Sequence, residues 1–243
     1  MIIKSESNEK YKYINKLKKK KYRKKFNSFI VESIKIVDQI PEDFECEFVF
    51  VNEDMKDYKT DFKKIVFSNN LFDKLSLLEN PEGVSAVIKI KEKKEISSNK
   101  VLLLDHMQDP GNLGTIIRSA EAFSFKDIIF LNNCVDLYNE KTIRASMGSI
   151  FRLNFIDLEL EDVKYLISKN YKLILADMNG KSVEKFKSYD KIILAIGNEA
   201  NGISESLKDL SDDFVSIRMD GKIESLNAAI AASILMNNFS QSG

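Results

Sequence analysis

From residue 98 onward the chain alternates short runs of Val, Ile and Leu with amphipathic segments, and this alternation constrains the fold more than any other feature. Val101–Leu104, Asp127–Leu131, Asn154–Ile156, Lys172–Ala176, Ile192–Ile196 and Phe214–Ile217 read as strands. Leu113–Phe123, Asn139–Met147, Glu161–Lys169, Ile203–Leu210 and Leu226–Phe239 read as helices. Strands that are apolar throughout, rather than at every second residue, need cover on both faces. An α/β domain with a parallel sheet and helices on both sides is therefore expected.

The part ahead of this pattern predicts a smaller α/β unit. Phe29–Val37 is apolar at roughly helical spacing, Cys46–Val51 and Lys64–Phe67 look like strands, Leu71–Leu78 a helix, and Val84–Ile90 a closing strand. Lys91–Lys100 has one apolar side chain in ten residues and is expected to be the linker. With the boundary near Ser97, the domains are 1–96 and 97–243.

Thirty-seven Lys and Arg against thirty-seven Asp and Glu give a formal charge of zero, which taken whole argues against a polyanionic ligand. The charges are segregated, however. Met1–Lys25 holds eleven basic and two acidic residues, net +9, leaving twenty-six against thirty-five, net −9, for the remainder. A basic N-terminal arm on an acidic body suits contact with nucleic acid or an anionic membrane. Ser225–Phe239 is uncharged but carries several polar residues and is short of the ~20 apolar residues of a membrane helix. Met1–Ser7 has no apolar core of a signal peptide. Cys46 and Cys134 are far apart and form no CxxC, so no disulfide framework and no metal site are expected, and a reducing cytoplasm fits best.

Ligands of parallel α/β folds gather outside the carboxyl ends of strands, and three turns stand there. In Asp105–Arg118, Pro110 and Gly111 favour a turn, Asn112 can cap the helix, and Gly114 lets another backbone approach. Arg118 follows Gly114 by four residues and projects near its face; a capped helix with a surface arginine accounts for the same residues. The second turn, after Ile192–Ile196, is Gly197-Asn-Glu-Ala-Asn-Gly202. It is neither GxGxxG nor GxxxxGK[ST], which disfavours a nucleotide-dependent oxidoreductase or hydrolase. Two glycines around Glu199 suit backbone recognition of a small neutral or cationic molecule, or simply a left-handed loop. In the third, Ser225 and Asn227 stand where a loop becomes a helix of small residues, with capping the ordinary role of Ser225. His106, the only histidine, ends a strand, where a structural role is expected.

Together, Asn112–Arg118 (NLGTIIR), Gly197–Gly202 (GNEANG) and Ser225–Asn227 (SLN) resemble motifs 1, 2 and 3 of the SpoU-type RNA ribose 2′-O-methyltransferases, the TrmH-like enzymes of the SPOUT superfamily. Order and spacing match, and Lys141–Gly148 (KTIRASMG) is similar to the family's stretch between motifs 1 and 2. Less sharply, residues 1–96 resemble the family's ribosomal-protein-like RNA-binding domain, through Lys19–Lys25, Phe29–Glu32 and Pro81–Val87. The resemblance, and nothing in the periodicity, implies a deep trefoil knot holding S-adenosylmethionine. It also implies a homodimer whose active site borrows residues from the partner, and methyl transfer to a ribose 2′-hydroxyl of ribosomal or transfer RNA.

Carried onto this chain, the resemblance implies that Arg118 contacts the target phosphate or hydroxyl, with Asn112 and Asn227 holding Arg118 and the ribose. Ser225 orients the 3′ side, and Glu199 orients the neighbouring motifs or reaches across the dimer. A guanidinium is a poor base, so stabilisation of the developing alkoxide is the expected role of Arg118. The cofactor is expected among Leu194, Ala195, Ile196, Gly197, Ile217, Met219, Ser225 and Leu226. Where motif 3 usually has proline this chain has Arg218, an extra cation for RNA. Lys18, Lys19, Lys20, Lys21, Arg23 and Lys24 are expected to gather RNA, with Arg144 and Arg152, beside Lys141, extending the track. The rival is a non-catalytic RNA-binding or ribosome-assembly protein on the same scaffold; the set Asn112, Arg118, Glu199, Ser225 and Asn227 favours the enzyme.

Overall fold

The computed structural model describes residues 1–91, 95–186, 189–199, 201–221, 223 and 225–241, and the chain forms two compact units. One comprises Met1–Glu92 with Asp136–Phe151, the other Lys93–Val135 with Arg152–Gly243. The expected division at 96/97 assigned residues 136–151 to the second domain, whereas they pack within the first unit. The expected linker, Lys91–Lys100, lies partly outside the described residues.

The first unit begins with the lysine-rich segment. Tyr11, Ile14 and Leu17 recur every three residues and are buried along α1 (Glu9–Leu17), which Asn8 caps by accepting the Lys10 amide at 2.9 Å. α2 (Lys20–Phe26) ends at Asn27, left-handed at φ 50°. The expected basic arm is a pair of folded helices: one face enters a core with Phe48, Phe50, Phe67 and Phe72, and most of the lysines stay outside. Its sheet consists of β1 (Ile2–Ile3), β2 (Ser28–Glu32), β3 (Cys46–Val51), β4 (Lys64–Phe67) and β5 (Val84–Lys89), in the order β1-β4-β3-β5-β2. Helices α3 (Ile34–Val37) and α4 (Asn69–Leu75) accompany it.

Phe29–Val37, expected to be helical, divides into β2 and α3. Ser28 to Val31 are all buried, and β2 pairs antiparallel with β5, Phe29 opposite Ile88 and Val31 opposite Ala86. A strand buried on both faces leaves a short apolar run that periodicity alone does not distinguish from a helix. Ser33, at φ 107°, makes the break.

The second unit carries a wholly parallel six-stranded sheet. β6 (Lys100–Asp105), α5 (Pro110–Ala122) and β7 (Asp127–Leu131) come first. α6 (Glu140–Ser146), which belongs to the first unit, precedes β8 (Asn154–Asp157), α7 (Leu160–Ser168), β9 (Lys172–Ser182), β10 (Ile192–Ile196), α8 (Glu205–Lys208), β11 (Asp213–Ser216) and α9 (Ala228–Gln241). The strand order is β11-β9-β10-β6-β7-β8. Val101, Leu103, Ile129, Leu173, Leu175, Ile193 and Ala195 form one core with Val163 of α7 and Leu207 of α8. By the two-residue period of strands the alternate residues face the other way. There α9 meets β10 and lies along α5, with the Ser119 and Ser233 hydroxyls 2.7 Å apart.

Asp127, buried at the amino end of β7, ties this sheet edge together. It accepts the amides of Ser97 and Ser98 at 3.1 and 2.8 Å, the Ser98 hydroxyl at 2.6 Å and the Asn154 amide at 2.7 Å. Burial pushes its pKa up, but the hydrogen bonds outweigh this and hold it below the ordinary 3.8. Because the folded value is depressed, the stabilisation is complete above the unfolded pKa and is lost as pH falls through the folded one. Asp127→Asn is expected to lower stability at pH 7 by about 1–2 kcal/mol. The gap to wild type should narrow below pH ~4, as read from urea unfolding at pH 7 and pH 3; a gap of equal size at both would refute the charge-based origin.

Candidate active site

β6 and β10 lie side by side where the strand order turns, with β7 and β8 beyond one and β9 and β11 beyond the other. Their pairing, Ile192 with Lys100 through Ile196 with Leu104, brings both carboxyl ends to one edge. Parallel α/β folds bind ligands in the crevice outside the carboxyl ends of strands at such a turn in the order, and here the loops after β6 and β10 meet, Asn198 Nδ2 donating to the His106 carbonyl at 3.0 Å.

In the β6–α5 turn, Asp109 rather than Asn112 caps the helix: Asp109 Oδ1 accepts the Asn112 amide at 2.6 Å, and Pro110 occupies the first turn. This releases the Asn112 side chain for tertiary contacts. Its Nδ2 donates to Glu199 Oε1, and its Oδ1 accepts from Asn227 Nδ2 at 3.0 Å. Asn227 in turn caps α9, its Oδ1 accepting the Ala229 and Ile230 amides at 2.9 and 3.3 Å. Capping of α9 therefore falls to Asn227, not Ser225, which is exposed. One polar chain, Glu199–Asn112–Asn227, joins all three turns. Ala200, Lys222 and Glu224 lie outside the described residues.

Arg118 is not part of this chain. Six residues separate it from Asn112, roughly 120° around the helix and about 9 Å along it. Its side chain is exposed and makes no hydrogen bond or ion pair among the described residues. Asn112 thus bonds to Glu199 and to Asn227, and neither asparagine holds Arg118 within the chain.

Of the residues expected around a cofactor, Leu194 and Ala195 are fully buried and paired on both sides, with β6 and with β9. Pairing with β9 stops at Ala195, so at Ile196 one edge of the strand leaves the ladder. Gly197 has no room for a side chain: a Cβ there would run into the backbone of Gly202 and Ile203, where the loop folds back. Ile217, Met219 and Leu226 are half-buried. Arg218 is exposed and pairs with Asp220 at 3.0 Å.

Residues 99–237 match the family model described as the SpoU rRNA Methylase family, and residues 8–86 match the MRM3-like substrate binding domain. The chain belongs to the SpoU rRNA methylase family. It is 31% identical to the 23S rRNA (guanosine(2553)-2'-O)-methyltransferase RlmP of Bacillus subtilis, over 96% of this chain and 97% of that protein. It is 34% identical to a 23S rRNA (uridine(2479)-2'-O)-methyltransferase of Streptomyces viridochromogenes, over 56% of this chain and 50% of that protein. The crystal structure of the SpoU methyltransferase AviRb from Streptomyces viridochromogenes, in complex with the cofactor AdoMet, shares the fold at a TM-score of 0.86 and 24% identity, covering 96% of this chain and 97% of that one.

Several expected RNA contacts of this SpoU methylase are engaged within the protein. Arg23 is buried, paired with Asp136 and donating to the Leu17 and Lys18 carbonyls at 2.9 Å each. It holds the first unit together and is withdrawn from the RNA-binding set. Lys18 donates to the Lys74 carbonyl at 2.7 Å, and desolvation pushes its pKa down. Arg152 pairs with Glu121 through Nε and Nη2. Lys19, Lys20, Lys21, Lys24 and Arg144 are exposed.

Other strand-end residues are structural. His106, left-handed at φ 56°, has Nδ1 2.6 Å from the Asn132 carbonyl. Burial pushes the Cys134 thiol up, and that of Cys46 to about 11, so neither is a nucleophile near neutral pH. Asp109, Asp105 and Asn198 went unread as site residues; the Asp-Pro pair is a helix-start signal that was open to sequence reading. Two roles of Asn227, cap and link, separate by mutation. Asn227→Ala is expected to cost about 1 kcal/mol and Asn227→Ser only a few tenths, since serine keeps the cap; equal thermal destabilisation by both would refute the cap assignment.

Proposed function

We propose that this chain transfers a methyl group from S-adenosylmethionine to a ribose 2′-hydroxyl of ribosomal RNA, in the cytoplasm, and that two copies of the chain complete each site. The polar chain Glu199–Asn112–Asn227, which binds motifs 1, 2 and 3 into one group, carries this reading. The two relatives act on a guanosine and a uridine but share the 2′-O position. Amide and carboxylate groups can hydrogen-bond the ribose hydroxyls that the two substrates have in common.

The residues present fit the cofactor. Beyond one hydroxyl, the expected set offers apolar side chains and backbone, with no carboxylate to repel or trap it, which suits a neutral adenine. Ser182 Oγ is the one buried side-chain nitrogen or oxygen without a hydrogen bond among the described residues, and Ser182 stands opposite Ser216, next to Ile217. Bound there, S-adenosylmethionine supplies an electrophilic methyl on a sulfonium. We read the path from β10 through the Gly197 loop and β11 to α9 as the family's trefoil knot around it.

Asn112 uses one amide hydrogen on Glu199 and one lone pair on Asn227, so its orientation is set while a second N–H remains to donate to the ribose. Glu199 and Asn227 fix that geometry before substrate arrives, which shortens the approach to an attack conformation. Arg118, cationic and exposed on another face of α5, stabilises the developing alkoxide and the phosphate in the site of a second copy, the hydroxyl proton leaving to water.

Arg118→Ala is expected to lower methylation by about 100-fold or more with cofactor binding retained. Mixed with Glu199→Ala chains it should recover roughly a quarter of wild-type turnover, because half the dimers then hold one intact site. No recovery on mixing would place both residues in one chain's site. Mapping of 2′-O-methyl positions on ribosomal RNA treated with the enzyme and cofactor tests the activity itself.

RNA is gathered by the exposed lysines of α1 and α2. Deleting residues 1–25 would remove Tyr11, Ile14 and Leu17 from the core, so charge removal is the cleaner test. Changing Lys19, Lys20, Lys21 and Lys24 to Gln should weaken RNA binding and lower the slope of log affinity against log salt by about 3, given ~0.7–0.9 per phosphate contact. An unchanged slope would exclude these lysines as phosphate contacts.

A further inference from the structure

We infer that Asp105 is a positioning residue for methyl transfer, its carboxylate setting where the Glu199 loop stands over the β6–β10 crevice. This rests on Glu199 and Asn112 serving the reaction as proposed above. Asp105 is the last residue of β6 and is 1% exposed. Its Oδ2 accepts the Ser204 amide at 2.7 Å and its Oδ1 accepts Asn132 Nδ2 at 2.7 Å. A buried carboxylate is costly unless both oxygens are satisfied, and here the two donors come from two different loops, those after β10 and β7.

The loop that carries Glu199 is held to the end of β6 at both of its own ends. At the near end Asn198 Nδ2 donates to the His106 carbonyl at 3.0 Å, and at the far end the Ser204 amide reaches Asp105. Between them Asn198 and Gly202 exchange backbone hydrogen bonds of 3.0 and 2.8 Å, closing a small ring. Glu199 sits on that ring, exposed, so packing does not hold it. Its alignment on Asn112 comes from the ring, and the ring's height comes from its two anchors. The His106 carbonyl is aimed by a left-handed residue whose ring meets the Asn132 carbonyl at 2.6 Å. Asn132, itself at φ 54°, returns its side chain to Asp105. The near anchor thus depends on the same carboxylate. An ionised carboxyl suits this place because it is acceptor-only and offers both oxygens; an asparagine keeps one acceptor and turns a donor toward one of the two N–H groups.

The test pairs a kinetic cycle with an exchange measurement on the full-length enzyme. Asp105→Ala should reduce kcat by about 100-fold, the effect of misplacing a site by ~1 Å. KM for RNA should stay within about twofold, because the lysine face is untouched. Asp105→Asn should retain more, about a tenth of wild-type kcat, with one acceptor kept. In the Glu199→Ala background, replacing Asp105 should cost no more than about twofold further, since residues acting through one another are non-additive. If Asp105→Ala does not fold, Asp105→Asn completes the same cycle. Independently of activity, backbone amides of residues 201–208 should exchange with deuterium about tenfold faster in the variant while those of β6 do not. Additive losses in the cycle, or unchanged exchange at Ser204, would overturn the role of Asp105. A Glu199→Ala enzyme with full turnover would overturn it together with the assigned site. A wild-type protein that methylates no RNA would sink the proposed function and with it a role in methyl transfer, while the exchange result would still decide whether Asp105 holds the loop.

Discussion

Parallel pairing of β6 with β10 makes two segments about ninety residues apart in the chain end at one edge, where their following loops hydrogen-bond to each other. The motifs acquire a common site from that geometry. A parallel sheet buried on both faces leaves no polar surface of its own, so the chemistry is confined to the strand ends, where backbone groups leave the ladder. Asn112 reaches the crevice because α5 starts just after β6, Glu199 because its loop starts just after β10, and Asn227 because α9 returns along α5.

Two buried carboxylates mark the two edges of this sheet and differ in what they serve. Asp127, at the amino edge, accepts four hydrogen bonds from residues near the starts of β6 and β8 and has no neighbour in the site. Asp105, at the carboxyl edge, accepts from two loops, one of which carries Glu199. Both solve the same electrostatic problem, a charge removed from water, with fixed N–H and O–H donors. Only the second has a donor on the loop whose Glu199 bonds to Asn112.

The charge segregation of the chain takes a physical form in the first unit. Lysines at the N-terminus do not repel one another into a disordered arm, because every third residue of α1 is apolar and gains more by entering the core than the helix loses by crowding like charges. The cost of that folding is borne partly by Arg23, whose guanidinium is neutralised by Asp136. What remains outside is a lysine surface on fixed helices, which presents charge to a polyanion without the entropy loss of ordering a tail.

Much of the second unit was legible in its residues. All six strands lie within a few residues of their expected bounds, except that β9 runs on to Ser182, its residues between Leu175 and Lys181 bulging out where β11 shifts register. Asn112, Glu199 and Asn227 were legible too, as motif residues, though Asn112 was assigned the cap that Asp109 supplies. Less could be read in the first unit: β2 looked helical, β1 is only two residues long, and 136–151 joins a unit far from it in sequence. By itself the sequence determined the period of each element, the segregation of charge and the presence of a methylase motif set, because each of these is written within one short segment. Only the tertiary structure decided which donor meets which acceptor: Asn112 with Glu199 across 87 residues, Asn112 with Asn227 across 115, and Arg23 with Asp136 across 113. Such pairs depend on how strands order themselves in a sheet, and no local pattern encodes that order.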